Sequence, residues 1–419
     1  MTRPVDLLII GAGPAGMAAA LAAAPSGISI VLLDDNPLPG GQIWRDGPNA
    51  QLPGVATEVR AQLQRYSNIH VHGGTKVVAL AGPKRLLLED AERGWVLAYD
   101  RLILCTGARE LLLPFPGWTL PGVTGAGGLQ ALIKGGLPVS GERVVIAGSG
   151  PLLLAAAATA KKNGAEVVRI AEQAGLGAVG GFALGLWRWP NKALQAVTLA
   201  SGAYRLSAHV IEALGSDRLE AVRVQTGSQV EEIACDRLAC GFSLVPNTEM
   251  GSALGYEVHD RAIVVDAWQA SRVADHYAAG ECTGFGGSEL AQVEGKIAGL
   301  VAVGKQDEAR ALWPERQRWQ RFADRLNQAF VLDPALKKLA NADTLVCRCE
   351  DVSYAELADH STWNAAKLNT RCGMGACQGR ICATAAQTLF GWEPPHLRPP
   401  FSPARIATLA CLDDAGRAI

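Results

Sequence analysis

The apolar and polar positions at the start of the chain predict a strand, a glycine-rich turn, a helix and a second strand. Residues 7–10 form an uninterrupted apolar run, and an alanine-rich stretch at residues 17–24 precedes a second apolar run, residues 28–33. Strands buried on both faces of a parallel sheet are apolar throughout, so both runs are predicted to be parallel strands. This is the order of a dinucleotide-binding βαβ unit.

The turn of this unit carries the pattern G-x-G-x-x-G. Gly11 allows the tight turn, Gly13 lets the backbone approach a pyrophosphate, and Gly16 lets the helix pack against the strand. The free N–H groups and the positive dipole end of the helix attract phosphates. Asp34 follows the second strand, where its carboxylate is predicted to accept a ribose hydroxyl. The predicted dinucleotide ligands are Gly11, Gly13, Ala15, Gly16 and Asp34.

Three later motifs narrow the identity of the dinucleotide. They are the stretch PGGQIWR at residues 39–45, a strand ending in Thr106-Gly107, and the pair Gly280-Glu281 before a helical stretch. The set resembles the flavoprotein disulfide reductase-like superfamily, in which the late glycine–acid pair caps the ribityl-phosphate end of a flavin. The resemblance implies FAD, although Glu281 stands where the family usually has Asp. The further flavin ligands that it implies are Gly41, Gln42, Arg45, Thr106, Gly107, Gly280 and Glu281.

A second strand–turn–helix–strand pattern occupies residues 143–170, with Gly148 and Gly150 in its turn. Leu153 replaces the third glycine, so the argument for close packing beside a pyrophosphate does not hold there. We predict that the dinucleotide fold is kept and that NAD(P) is not bound. A different nucleotide at this turn is left open.

Composition and charge exclude several classes of protein. Hydrophobic residues make up 49% of the chain and charged residues 19%, which is typical of a soluble globular protein. The net charge is −1, so nucleic acid is not an expected partner. The longest apolar runs contain glycines and a proline and fall short of a membrane span. The chain reaches its first strand within five residues, with Arg3 as the one basic residue there, which leaves no room for a signal peptide, so a cytoplasmic location is expected.

The ten cysteines are unevenly distributed, and five of them lie between Cys347 and Cys382. No C-x-x-C pair occurs, which excludes the redox dithiol of disulfide reductases. A tight group of soft thiolates indicates an iron–sulfur cluster or structural zinc. The first pair is C-x-C and the second C-x4-C; zinc favours pairs separated by two to four residues, so the spacing of the first pair speaks against zinc.

The cysteine-rich segment resembles the ferredoxin-like [2Fe–2S] domain named for bacterioferritin-associated ferredoxin, in the variant that is fused to flavoproteins. The C-x4-C form preceded by Met-Gly is similar to the tail of the large subunit of anaerobic glycerol-3-phosphate dehydrogenase. In that family the position of Cys372 need not be cysteine, so Cys372 is a reserve candidate. The ligands that the resemblance implies are Cys347, Cys349, Cys377 and Cys382.

The predicted fold class is α/β, a flavoprotein with two dinucleotide-binding domains of disulfide reductase type and a small C-terminal α-rich [2Fe–2S] domain. The predicted division of the chain is residues 1–112 and 242–304 for the FAD-binding domain, 113–241 for the inserted second dinucleotide fold, 305–342 for a helical connector, 343–391 for the [2Fe–2S] domain and 392–419 for an extended proline-rich tail.

Taken whole, the chain resembles the α-type subunits of dye-linked, multi-subunit FAD dehydrogenases. This group includes subunits of D-hydroxyproline dehydrogenase, opine oxidase, heteromeric L-proline dehydrogenase and hydrogen cyanide synthase. The resemblance implies a partner flavin subunit of the D-amino-acid-oxidase type that oxidises a secondary amine or amino acid, with room for a small third subunit. This chain would pass the electrons through FAD and the cluster to an acceptor.

Two other functions are left open by the sequence. One is a self-contained NAD(P)H-dependent reductase that feeds its own iron–sulfur centre, against which Leu153 argues. The other is a non-catalytic scaffold with a purely structural nucleotide. No histidine or acid stands in a stretch that indicates substrate chemistry, so no catalytic residue is predicted.

Overall fold

The computed structural model describes residues 4–393 and 398–416. The strands are β1 (Val5–Ile10), β2 (Ile30–Leu33), β3 (Ile69–His72), β4 (Lys76–Leu80), β5 (Arg85–Glu89), β6 (Gly94–Leu104), β7 (Ala108–Leu111), β8 (Val123–Gly125), β9 (Arg143–Gly148), β10 (Glu166–Glu172), β11 (Tyr204–Arg205), β12 (Ala208–Leu214), β13 (Ala221–Thr226), β14 (Gln229–Ala234), β15 (Arg237–Gly241), β16 (Ser243–Pro246), β17 (Val258–His259), β18 (Ala262–Ile263), β19 (His276–Ala278), β20 (Leu345–Cys347) and β21 (Val352–Ser353). The α-helices are α1 (Pro14–Ala23), α2 (Gly54–Arg65), α3 (Ala126–Lys134), α4 (Leu152–Lys162), α5 (Leu176–Gly185), α6 (Pro190–Thr198), α7 (Glu249–Ala253), α8 (Ser288–Ala302), α9 (Gln306–Arg310), α10 (Trp313–Ala329), α11 (Tyr354–Ala358), α12 (Trp363–Thr370), α13 (Cys382–Phe390) and α14 (Ile406–Gly416).

The first sheet is built on the N-terminal strand–turn–helix–strand unit. Its strands lie in the order β3-β2-β1-β6-β5-β4, and β19 pairs with the second half of β6. The pairs β3–β2, β2–β1, β1–β6 and β6–β19 are parallel, whereas β4, β5 and the first half of β6 form an antiparallel meander. The apolar runs of β1 and β2 are buried, as the sequence pattern predicts.

Helices α1 and α8 pack side by side over this sheet. Glycines permit the contact, because a Cβ on Gly295 would collide with the carbonyl of Ala15 and one on Gly299 with the carbonyl of Ala19. Helix α8, the last helix that packs on this sheet, is therefore held against α1, the first. This packing places the turn that precedes α8 beside the glycine turn that precedes α1.

The second sheet has the strand order β11-β10-β9-β15-β8, with all pairs parallel, and an antiparallel sheet β12-β13-β14 accompanies it. The chain enters this unit through β7 and leaves it through β16, and these two strands pair antiparallel. Leu153 is fully buried in the core that joins α4 to this sheet. The second strand–turn–helix–strand pattern is thus present as β9–α4–β10.

The C-terminal third of the chain begins with the predicted connector, which forms α9 and α10. The cysteine-rich segment follows, with the short pair β20–β21 and helices α11, α12 and α13 around a small core of its own. Helix α11 starts at a capping box in which Ser353 and Glu356 satisfy each other's backbone N–H groups.

The predicted extended tail is wrong from Ile406 onward, where the chain forms α14. The last proline of the sequence is Pro403, so every later residue has the N–H group that a helix needs. The helix packs against β5 and β6. Proline content therefore indicates an extended chain for the first part of the tail alone.

Parts of the predicted first and last segments, Met1–Arg3, residues 394–397 and residues 417–419, lie outside the described residues. Within the part of the chain that is described, no helix combines the length and the apolar character needed to cross a bilayer.

Candidate functional site

Four turns meet at one edge of the first sheet. They follow β1, β2, β6 and β19 and carry Gly11, Asp34, Thr106 and Gly280. Because these strands are parallel neighbours, their carboxyl ends lie together, and ligands of open α/β sheets bind outside that edge. The structure therefore gathers residues that the sequence had predicted from motifs far apart.

The glycine turn after β1 has the shape of a phosphate cradle. Gly11 has a φ of 104°, and a Cβ there would collide with the carbonyl of Cys105. Helix α1 then begins at Pro14, which lacks an N–H at a position where none is needed. A Cβ on Gly41 would lie 3.0 Å from the Cα of Gly13, so the second predicted segment lies directly against the first.

Asp34 is buried, and its carboxylate is bonded to its own chain. Oδ2 accepts from Ala12 N at 2.6 Å, and Oδ1 accepts from the backbone and side-chain nitrogens of Asn36 at 2.8 Å. The acid thus fixes the glycine turn to the tip of β2.

The neighbouring Asp35 is exposed as a whole residue, but protein atoms around its carboxyl partly exclude water from it. This desolvation, together with the charge of Asp34, raises the pKa of Asp35. The sequence analysis overlooked Asp35, although the Asp-Asp pair was visible.

Arg45 supplies a cation beside the glycine turns. Its Nη2 donates to Gln42 Oε1 at 3.0 Å, and its buried Nε finds no acceptor among the described residues. A buried N–H without a partner is costly, and an anionic ligand would satisfy it. The glycine cradle, the helix N-terminus and this guanidinium together fit the pyrophosphate of FAD.

Asn247 is hydrogen-bonded to the turn after β6. Thr106 Oγ1 donates to Asn247 O at 2.7 Å, Asn247 Nδ2 donates to Thr106 O at 2.8 Å, and Asn247 N donates to Gly107 O at 2.9 Å. Asn247 follows β16, so the returning strand of the insertion fixes a turn predicted to contact the flavin.

A buried acid that the sequence analysis missed lies behind Gly280-Glu281. Gly280 N donates to Glu294 Oε2 at 2.9 Å, and Thr283 Oγ1 donates to the same oxygen at 3.3 Å. Burial raises the pKa of Glu294 to about 7, and burial also raises the pKa of Glu281. Glu294 lies on the face of α8 that looks like core from its spacing, so no local signal distinguished it.

A cavity of about 470 Å³ adjoins this acid. It is lined by Glu294 and Phe285 on one side, by Gln320 and Asn327 of α10 on another, and by Arg261. Arg261 forms no ion pair within the described residues, and burial lowers its pKa. The cavity thus offers a cation and a buried acid to a small polar ligand.

The cysteine-rich segment brings three thiols together. The Sγ atoms of Cys347, Cys372 and Cys382 all lie within 4.8 Å of one another, and all three residues are buried. Cys349 is exposed and Cys377 half-buried, and both lie outside this group. Two of the four predicted ligands are therefore adjacent, and the reserve candidate Cys372 is the third member. The predicted ligand set stays a prediction.

The three thiols are electrostatically coupled. Hydrogen bonds from Cys372 and Cys382 hold the pKa of Cys347 far below its usual range, and the same bonds raise the pKa of both donors. A Cβ on Gly375 would collide with the Cβ of Cys349, so the loop that leads to Cys377 passes directly over Cys349. The five cysteines thus lie on neighbouring segments: Cys347 ends β20, Cys382 begins α13, and the other three are in turns. Soft thiolate donors in this number suit iron–sulfur or zinc.

In the second dinucleotide fold, other residues of the protein fill the space at the glycine turn after β9. Glu172 at the end of β10 is fully buried and accepts from Gly150 N at 2.7 Å and from Tyr204 at 3.1 Å. Gln173 donates to Val331 O at 2.9 Å and accepts from Asp333 N at 2.8 Å. Residues 330–333, which we call the strap, therefore lie across this turn.

The strap also touches the glycine turn directly. Ser149 Oγ lies 3.5 Å from Phe330 O, and a Cβ on Gly150 would lie 3.6 Å from the Phe330 ring. Together with the buried Leu153, this contact gives a physical reason to expect no NAD(P) here.

Comparison with known proteins adds three findings. A family model described as pyridine nucleotide-disulphide oxidoreductase matches residues 5–298. The hydrogen cyanide synthase subunit HcnB of Pseudomonas aeruginosa is 32% identical over 91% of this chain and 90% of that protein. An opine oxidase subunit of Agrobacterium tumefaciens is 30% identical over 99% of this chain and 93% of that protein.

Among solved structures, the L-proline dehydrogenase of P. horikoshii superposes with a TM-score of 0.68 at 18% identity, covering 97% of this chain and 79% of that one. At that identity the comparison shows a shared fold. Since it covers 97% of this chain, the shared fold includes the C-terminal part. The predicted fold class and the resemblance to these oxidoreductase subunits are confirmed.

Proposed function

Because the chain belongs to the pyridine nucleotide-disulphide oxidoreductase family and is an FAD-dependent oxidoreductase, we propose that it is the FAD- and iron–sulfur-containing subunit of a heteromeric amino-acid or opine dehydrogenase. In this proposal a partner flavin subunit oxidises the substrate, of the D-hydroxyproline, proline or opine type. The present chain receives the electrons and delivers them to an acceptor.

One observation carries the proposal, namely a flavin-type sheet edge and a buried group of thiols in the same chain. No C-x-x-C pair occurs in the sequence, so a dithiol of that kind is not the acceptor. The buried thiols that are present lie instead in a separate small core, at the end of β20, in the turn after α12 and at the start of α13. FAD exchanges electrons in pairs or singly, whereas an iron–sulfur cluster carries one at a time.

The chain's own residues would hold and orient FAD. The turn at Gly11–Gly16 and Arg45 would bind the pyrophosphate, and Asp34 would accept a ribose hydroxyl. Gly41, Gln42 and Thr106–Gly107 would border the ribityl chain and ring, with Gly280 and Glu281 at the ribityl-phosphate end.

The relatives support the heteromeric part of the proposal. The hydrogen cyanide synthase and opine oxidase relatives described above are both named as subunits. At the flavin edge, the carboxylate of Asp34 is bonded to Ala12 and Asn36, and that of Glu294 is bonded to Gly280, so both acids already serve the fold. Oxidation of the substrate on a partner of the D-amino-acid-oxidase type, with or without a small third subunit, agrees with this arrangement.

The decisive test is the content of the purified chain. We expect one FAD, about two irons and about two acid-labile sulfides per chain, and a low-temperature paramagnetic signal after dithionite reduction. Zinc in place of iron after anaerobic purification would refute the electron-transfer proposal.

Cysteine variants test the ligand set. Cys377→Ser and Cys382→Ser should each lose iron while keeping FAD, because the flavin edge and the cysteine segment have separate cores. Cys372→Ser should keep iron. If Cys372→Ser loses the cluster and Cys377→Ser keeps it, the three adjacent thiols are ligands and the proposed set is wrong.

A role in hydrogen cyanide synthase is a second candidate, favoured by the 32% identity to HcnB over most of both chains. Co-expression with the neighbouring reading frames would separate the two. Cyanide release on addition of an amino acid favours the second candidate, whereas reduction of an electron-accepting dye by proline, hydroxyproline or an opine without cyanide favours the first.

A further inference from the structure

Arg109 lies on the strand by which the chain enters the insertion, β7, between the two candidate sites. Its Nη1 donates to Asn247 Oδ1 at 2.8 Å, and Asn247 makes the three hydrogen bonds to the Thr106–Gly107 turn described above. On this side, Asn247 is the single residue that links Arg109 to the turn expected to border the flavin.

On its other side Arg109 reaches the cysteine segment. Its Nε donates to Arg380 O at 3.1 Å, and its Nη2 lies 3.3 Å from Thr384 Oγ1. Arg380 stands between Cys377 and Cys382 in the sequence, and Thr384 is in the first turn of α13, which begins at Cys382. A single guanidinium therefore bonds the loop that carries two predicted cluster ligands.

The charge of this guanidinium is only partly neutralised. Its Nη2 lies 2.7 Å from Glu249 Oε1, with the Arg109 side chain 21% exposed and the Glu249 side chain 36% exposed. Exposed ion pairs are screened by solvent, whereas a half-buried cation acts on its interior side through a lower dielectric. Arginine stays protonated at every pH at which the protein is folded.

We propose that Arg109 and Asn247 are positioning residues that couple the flavin turn to the cluster loop, and that the charge of Arg109 raises the reduction potential of the cluster. The inference rests on the proposed function. Reduction adds negative charge to the cluster, and net charge and hydrogen bonding set iron–sulfur potentials. Since Arg109 bonds the cluster loop directly and the flavin turn through Asn247, its charge favours electron movement towards the cluster.

The electron balance needs no further reactant. A reduced flavin held at this edge would give up two electrons singly to the cluster and two protons to solvent, and the cluster would pass each electron to the acceptor before taking the next. No bond to the protein forms or breaks.

The test compares the full-length wild type with Arg109→Met, Arg109→Lys and Glu249→Gln by redox titration, following flavin absorbance and the cluster's paramagnetic signal. Arg109→Met should lower the equilibrium constant for electron transfer from flavin to cluster at least tenfold, which corresponds to about 59 mV for one electron. Glu249→Gln should shift it in the opposite direction, and Arg109→Lys, which keeps the charge, should shift it less than Arg109→Met.

Arg169→Met serves as the matched control. Arg169 is also half-buried and paired with a glutamate, Glu231, but it touches neither site. Its removal should leave both potentials unchanged. Equal potentials in Arg109→Met and the wild type, or shifts of the same sign in Arg109→Met and Glu249→Gln, would overturn the role of the charge. If Arg109→Met does not fold, Glu249→Gln decides, because a shift of the equilibrium towards the flavin in that variant would overturn the role of the charge.

A second measurement does not depend on the cluster. Hydrogen exchange of residues 380–384 should be slower in flavin-loaded than in flavin-free wild type, and Arg109→Met should abolish that difference. A chain that contains no iron would refute the proposed function while leaving this result intact. No difference in the wild type would refute the coupling itself.

Discussion

Asp34 shows how one residue serves both the fold and the ligand. Three donors of its own chain already occupy its carboxylate, which has about four acceptor positions, so one position is left for a ribose. We expect Asp34→Ala to weaken FAD binding by roughly 1.5–3 kcal/mol, the value of a hydrogen bond to a charged group. Flavin release on dilution measures this loss. Asp35→Asn is the control, and full flavin occupancy of Asp34→Ala after dilution would contradict the role.

Glu294 makes stability depend on pH. Its pKa is raised to about 7 by burial, from 4.5 in the unfolded chain, so the folded state holds the proton more tightly. Below pH 4.5 this difference in pKa contributes about 3 kcal/mol to the free energy of unfolding. The contribution is lost as the pH rises towards 7. Glu294→Gln should therefore lose less stability than the wild type between pH 5 and pH 8, as measured by thermal unfolding. Parallel pH profiles would contradict this.

Among the elements, β9, α4 and β10 keep a dinucleotide fold whose turn is closed by Leu153 and the strap. We expect micromolar NADH not to reduce the flavin rapidly. Leu153→Ala should cost roughly 2–5 kcal/mol of stability, because it empties a fully buried position. It should still not permit reduction by NADH, since Phe330 continues to cover Gly150. Rapid flavin reduction by NADH in either protein would show that the strap opens.

The elements also show what local patterns can predict. The apolar runs and glycines of β1, α1 and β2 identify a βαβ unit because a fixed pattern of residue types along one continuous stretch encodes it. The strap, the helix α14 and the approach of Cys372 to Cys347 depend on partners far away in the chain. Glu294 was missed because its spacing on α8 is that of a core position, and its hydrogen bond with Gly280 forms only once α8 has packed.

At the scale of the whole molecule, the C-terminal helix ties the end of the chain to the first sheet. Thr408 Oγ1 donates to buried Glu89 at 2.5 Å. Although burial acts against it, this bond, together with Arg405 and Lys76, lowers the pKa of Glu89 to about 2. Thr408→Val should cost roughly 1.5–3 kcal/mol near neutral pH, with most of the effect disappearing as the pH falls through 2. The melting temperature measures it, and Thr388→Val, whose hydroxyl bonds within its own helix, is the control.

The antiparallel pair β7–β16 bears on how the chain assembles. Leu111 lies opposite Ser243, so residues 112–242 leave and return at one point. The first sheet needs β19, which is synthesised long after β6, and closing so long a loop is entropically slow. Once the insertion has folded, its two ends are adjacent, and the effective loop between β6 and β19 shrinks to about 40 residues. We expect the insertion, residues 112–242, to fold before the first sheet is complete. The folded insertion would then hold the two flanking segments together, so that β19 can pair with β6.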